Sequence, residues 1–201
     1  MLEVKDATIA VGGKTLVRNL SLIARDGQMT CITGPEGSGK TVFIRTLMGF
    51  LPVTSGFVSV DGELLTPFSS HAFRRMMCYL PQELRLLAHQ LREPETPDCQ
   101  AVIDPVWGPS LPEVVPEPSP EHLSPEDIFL LAKETLRQES SRPIIIADEP
   151  IAYLTPELAT QLVWLLRQQT ESGKTVVVTS RYPMLLEQAD HVVPLGAPIN
   201  P

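Results

Sequence analysis

Hydrophobic positions along the chain fall in short, separated runs: LEVKDATIAV (2–11), LSLIA (20–24), MTCIT (29–33), GFVSV (56–60), MMCYL (76–80), PIIIAD (143–148), TVVVTS (175–180) and HVVPL (191–195). Several are continuous and β-branched, which predicts strands buried on both faces of a sheet. Helical patterns lie between them. TVFIRTLMGF (41–50) follows MTCIT. TPELATQLVWLLRQQT (155–170) places Leu158, Leu162, Leu165 and Gln169 on one stripe, with Thr155 as N-cap and Pro156 in the first turn. HLSPEDIFLLAKETLRQ (122–138) has Ser124 as N-cap, Pro125 in the first turn and Asp127 three residues on, as in a capping box. Strand and helix alternation predicts an α/β core with at least part of its sheet parallel.

One segment breaks the pattern. Residues 93–125 hold nine of the chain's 20 prolines and no Lys or Arg, and proline at that density prevents a continuous helix and removes backbone donors from any sheet. An exposed acidic loop is the expectation there, with a partner-docking surface as the alternative. The expected organisation is a single domain over 1–201, with its core in 1–84 and 140–201 and a divergent, proline-rich helical lobe over about 85–139.

Charge narrows the function classes. A net charge of −8 argues against a nucleic-acid-binding surface. No apolar stretch approaches the roughly 20 residues that span a bilayer, and MLEVKDATIAV lacks the basic and apolar regions of a signal peptide. Cys31, Cys78 and Cys99 show no metal-ligand spacing, and the first two fall in apolar strand-like runs, so buried reduced thiols are expected. The resulting expectation is a cytoplasmic protein that reaches a membrane only through a partner.

GPEGSGKT comprises Gly34, Pro35, Glu36, Gly37, Ser38, Gly39, Lys40 and Thr41, and fits the phosphate-loop pattern between a strand and a helix. Its glycines let the backbone curl so that successive N–H groups point inward. That nest and the following helix N-terminus hold phosphate oxygens. Lys40 is expected to reach the β- and γ-phosphates and Thr41 to ligate Mg²⁺. PIIIADEP ends a strand in Asp148, at the carboxyl edge where α/β ligand sites form. Asp148 would hold Mg²⁺ and Glu149 would polarise a water for attack on ATP.

With these motifs placed, the chain resembles the ATP-binding cassette domain of ABC transporters over residues 2 to about 196. LEVKDATIAVGGKTLVRNLSLIARDGQMTCITGPEGSGKT looks like that family's N-terminal sheet leading into its phosphate loop. TLMGFLPVTSGFVSVDGELL is similar to the stretch that follows, and KTVVVTSRYPMLLEQADHVVPL to its last strands. The resemblance implies a P-loop NTPase core with a mixed sheet, an N-terminal antiparallel β region and a reduced helical subdomain. It gives Gln82 a place coupling the γ-phosphate and metal to a membrane subunit, and Asp148 and Glu149 the metal and catalytic places. It implies ATP and Mg²⁺ as ligands, an integral membrane permease as partner, and a second cassette arranged head to tail.

Four positions depart from the family pattern. The signature turn, normally Leu-Ser-Gly-Gly-Gln, reads LSPED: Ser124 is kept, but Pro125 has no N–H and two carboxylates follow. The histidine after the penultimate strand is Ser180. The following Arg181 is expected to face solvent, with reach toward phosphate as the alternative. Thr155 stands at the aspartate of the turn after Glu149. Val11 stands where an aromatic stacks on adenine, an interaction worth about 1–3 kcal/mol. Removing one preorganised charge-stabilising group slows an enzyme by about 10²–10³-fold. The expectation is therefore ATP binding with slow hydrolysis, and the alternative a regulatory pseudo-ATPase.

Overall fold

The computed structural model describes residues 1–84 and 123–196. The chain opens as a hairpin, β1 (Leu2–Val11) and β2 (Lys14–Ala24), joined at Gly12 and Gly13. Both glycines have positive φ, 58° and 79°, as the two-residue turns matched to strand twist demand. β1 also pairs antiparallel with β4 (Ser55–Val60), which pairs with β5 (Glu63–Leu64), giving the order β2-β1-β4-β5. Position 56 admits only glycine. Its φ is 77°, and a Cβ there would lie 2.3 Å from the Lys5 carbonyl oxygen, beside the β1 bulge at Asp6.

The second sheet is wholly parallel, in the order β6-β7-β8-β3-β9. Its strands are β3 (Met29–Thr33), β6 (Met77–Leu80), β7 (Ile144–Asp148), β8 (Thr175–Thr179) and β9 (His191–Pro194). Parallel and antiparallel pairing both occur, as the family resemblance implies, but in separate sheets. Every residue of β7 and β8 is buried, and the alternation of side chains divides them between two cores. Ile144 and Ile146 meet Phe43, Ile44 and Leu47 of α1 (Lys40–Leu47) together with Leu2, Val4 and Val58 of the antiparallel sheet. Ile145 and Ala147 face the other way. They meet Ala132 and Leu136 of α3 (Pro125–Gln138), Leu162 and Leu166 of α4 (Pro156–Glu171) and Leu185 of α5 (Pro183–Gln188). Each such side chain contributes about 1.5–3 kcal/mol when fully buried.

The remaining helix among the described residues, α2 (Ser70–Arg75), is a short element that the hydrophobic pattern does not announce. In α4 the buried stripe is Ala159, Leu162, Val163, Leu166 and Thr170. Of the expected Leu158, Leu162, Leu165 and Gln169, only Leu162 is fully buried; the other three sit at the stripe's margin. Thr155 does cap α4, its hydroxyl accepting from the Leu158 amide at 3.4 Å. Cys31 and Cys78 are buried and free. Burial, with the Glu149 charge behind it, pushes the Cys31 thiol up to about 12, and burial pushes Cys78 to about 11. Cys99 and most of the expected lobe over 85–139 lie outside the described residues, the lobe entering only from residue 123, ahead of α3. Among the described residues no helix is long and apolar enough to cross a membrane.

Candidate functional site

Parallel pairing brings the carboxyl ends of β3, β7 and β8 to one edge, with Ile32 and Asp148 both beside Thr179. The loop of residues 34–39 leaves β3 there and enters α1 through Gly39, whose φ is 94°. Gly39 caps the helix with no side-chain acceptor, and no acidic residue occupies the first turn. The orphan N–H groups of α1 are therefore left for an anion. Gly34 is needed for space: a Cβ there would stand 2.7 Å from Ser38 Oγ and 2.8 Å from the Leu195 carbonyl oxygen. Pro35 accepts the Ser38 amide at 3.2 Å, and Ser38 itself is buried.

Lys40, at the first position of α1, turns back over the loop. Its ammonium donates to the carbonyl oxygens of Gly34 (2.9 Å) and Pro35 (3.2 Å) and lies 3.3 Å from Glu149 Oε1. Thr179 fixes the opposite wall. Its hydroxyl donates to Asp148 Oδ1 at 2.6 Å and accepts from the Glu149 amide at 2.9 Å. Glu149 is held at φ 45°, a left-handed conformation that costs a non-glycine residue of order 1–3 kcal/mol. Asp148 is 1% exposed; burial of Tyr79, with the Asp148 charge second, pushes the Tyr79 hydroxyl up to about 12.

Asp148 Oδ2 and Glu149 Oε2 are buried and have no hydrogen-bond partner among the described residues. Buried carboxylate oxygens left so are costly unless a cation or donor meets them. A hard divalent cation and its waters fit that donor set, with Thr41 and Gln82 nearby. Lys40 and Glu149 border a cleft of about 290 Å³, lined also by Glu36, Gly37, Gly39, Thr41 and Gln82; Asp148, 1% exposed, is not in that lining.

The cleft also takes in Leu16 and Ala152, which the motifs did not point to, and Arg181, for which reach toward phosphate was the alternative to facing solvent. Leu16 packs over the loop, since a Cβ on Gly39 would stand 3.2 Å from Leu16 Cβ. Val11, expected to meet adenine, is 43% exposed at the end of β1 and does not line the cleft. Ser124 is likewise outside the lining.

Residues 17–152 match the family described as ABC transporter. The chain belongs to that family. It is 28% identical over 207 residues to an Fe(3+) ions import ATP-binding protein of Pectobacterium atrosepticum, covering 96% of this chain and 59% of the relative. It is 26% identical over 200 residues to an ATP-dependent lipid A-core flippase of Burkholderia thailandensis, covering 93% of this chain and 33% of the relative. The chain spans 36%, 31% and 59% of three curated relatives it matches, so whole-protein roles do not transfer directly. The ADP conformation of an ATP-binding cassette of an ABC transporter superposes with TM-score 0.69 at 20% identity, covering 97% of this chain and 87% of that one. At that identity the likeness establishes the fold.

Ser124 and Ser180, two of the four positions expected to depart from the family pattern, make internal hydrogen bonds. The Ser124 hydroxyl donates to Asp127 Oδ2 at 2.8 Å, the Ser124 amide donates to the same oxygen at 3.1 Å, and the Asp127 amide donates back to Ser124 Oγ at 3.2 Å. These bonds, the hydroxyl's foremost, hold the Asp127 carboxyl below its usual range. Ser180 is fully buried, and its Oγ accepts the Tyr182 amide at 3.1 Å.

Proposed function

We propose that this chain is the ATP-binding subunit of an ABC-type membrane transport complex, binding MgATP in the cleft and hydrolysing it slowly to drive or gate a membrane partner. The observation that carries this reading is Lys40, at the end of its glycine-rich loop, against Glu149, with Asp148 next to Glu149 in the chain and each carboxylate keeping a buried oxygen without a partner among the described residues. Backbone N–H groups of residues 34–41 and the Lys40 ammonium would hold the phosphates. Thr41, Asp148 and Gln82 would hold Mg²⁺, which when bound neutralises charge on phosphate oxygens. Glu149, oriented by Thr179, would accept a proton from water, and Leu16 would shield the loop from solvent.

Slow turnover is supported by LSPED and Ser180. In a head-to-tail pair of cassettes, Ser124 of one faces the phosphates of the other. Here the Ser124 hydroxyl and amide already donate to Asp127, so an incoming phosphate must compete with an internal carboxylate. Ser180 is turned inward onto Tyr182 and offers the phosphates no substitute for a histidine.

In this reading the partners are an integral membrane permease and a second cassette. The chain works at the cytoplasmic face of the membrane, held there by the permease, and its acidic surface has no part in nucleic-acid binding. The relatives' named cargoes differ, so none is carried over. A second reading, a pseudo-ATPase that regulates or assembles its complex, is favoured by the Asp127 contact, which would be present in every copy.

Steady-state ATP hydrolysis by the purified chain, alone and with its membrane partner, separates the two. We expect slow turnover that the Glu149→Gln variant lacks. Bound MgATP with identical background rates in both proteins would instead leave the regulatory reading standing.

A further inference from the structure

Arg181 enters the cleft from the turn after β8, an element from which the phosphate-loop account takes only Thr179. Its side chain lines the same space as Lys40, Thr41, Gln82 and Glu149. One guanidinium nitrogen lies 3.6 Å from Glu36 Oε2, and the group sits 5.6 Å from the centre of the Tyr182 ring. Both members of the ion pair are exposed, at 55% and 92%. A pair so wet is weak and yields readily to a stronger anion. Glu36 is an unusual occupant, because it puts a carboxylate on the loop whose N–H groups would receive phosphate. The cleft's other cation, Lys40, is already engaged with two carbonyl oxygens and Glu149.

We propose that Arg181 and Glu36 form a displaceable ion pair at the mouth of the cleft, and that Arg181 reads the terminal phosphate of a nucleoside triphosphate. An incoming polyphosphate draws the guanidinium from Glu36. Arg181 then distinguishes triphosphate from diphosphate, a task its neighbour Ser180 is turned away from. A planar guanidinium suits this role, since its paired N–H donors match two phosphate oxygens at once. Glu36 opposes binding by holding Arg181 in the empty cleft. The proposal rests on the nucleotide-binding reading above.

The test is calorimetric binding of MgATP and MgADP to the full chain and its Arg181→Ala, Arg181→Lys, Glu36→Gln and Arg181→Ala/Glu36→Gln variants. Arg181→Ala should weaken MgATP roughly tenfold and MgADP less than about twofold, with Arg181→Lys recovering part of the loss. Glu36→Gln should tighten MgATP about threefold in the wild-type background and less when Arg181 is absent. Both residues are exposed, so thermal melts of the variants should match wild type. Equal weakening of both nucleotides by Arg181→Ala, or none, overturns the proposal and leaves nucleotide binding intact. An equal gain from Glu36→Gln in both backgrounds removes the ion pair from it. A wild-type chain that binds neither nucleotide overturns the underlying reading as well.

Discussion

Lys40 has three partners, the carbonyl oxygens of Gly34 and Pro35 and the carboxylate of Glu149. Lys40 and Glu149 are each 9% exposed at the side chain, so removing one leaves the other charge buried without compensation, a cost of about 3–5 kcal/mol. Lys40→Met should therefore destabilise the chain by roughly 3 kcal/mol, and adding Glu149→Gln should restore part of the loss. A double-mutant cycle by urea unfolding should return a coupling of about 0.5–3 kcal/mol, whereas additive effects would contradict the pair. Lys40, Asp148 and Glu149 were legible in the sequence because their motifs are local. Thr179, which fixes two of them, was not. It lies 31 residues from Asp148, and only the β7–β8 register brings it there. Arg181 was expected to face solvent and is 55% exposed at its side chain, but where β8 ends also sets it at the mouth of the cleft.

Legibility at the scale of elements follows burial. β1 and β3 were legible at their observed bounds, β1 from apolar positions interleaved with polar ones and β3 from a short apolar run set just before the phosphate loop. The first half of β2 was not, because Asn19 at φ 47° interrupts its alternation. In α4 the apolar residues Leu158, Leu162, Val163, Leu165 and Leu166 admit more than one stripe, and packing against β7, β8 and the neighbouring helices rather than periodicity decides between them. How α4 is tied down was equally hidden. Asp190 accepts two bonds from Arg167 of α4, at 2.6 and 3.0 Å, and one from the Met29 amide of β3 at 2.7 Å. Arg167 holds the Asp190 carboxyl below its usual range, against the opposing effect of burial and with help from the Met29 amide. A carboxylate depressed in the folded state contributes stability above its unfolded pKa and loses it as pH falls through the folded value. Asp190→Asn should cost about 1 kcal/mol near neutral pH and make the acid decline shallower, as read by urea unfolding at neutral pH and near pH 3. Parallel acid declines in the two proteins would contradict that role.

On the scale of the molecule, an antiparallel and a parallel sheet enclose α1 and fix the loop before it. That frame holds Lys40 against Glu149 in one cleft, with Asp148 next to Glu149 in the chain, in a member of the ABC transporter family. The same frame presents LSPED on α3, capped on itself. The phosphate loop and the internally bonded Ser124–Asp127 turn are together the basis of the proposal that this chain binds MgATP without fast turnover. The claim beneath all of this is that the cleft takes MgATP through Lys40. Equilibrium binding of MgATP to the wild-type chain, with Lys40→Met/Glu149→Gln as the charge-balanced comparison, tests it most directly. The expected result is saturable binding by the wild type, weakened roughly 100-fold in the variant. Equal affinity in two cooperatively folded proteins, or no binding by the wild type, would contradict it.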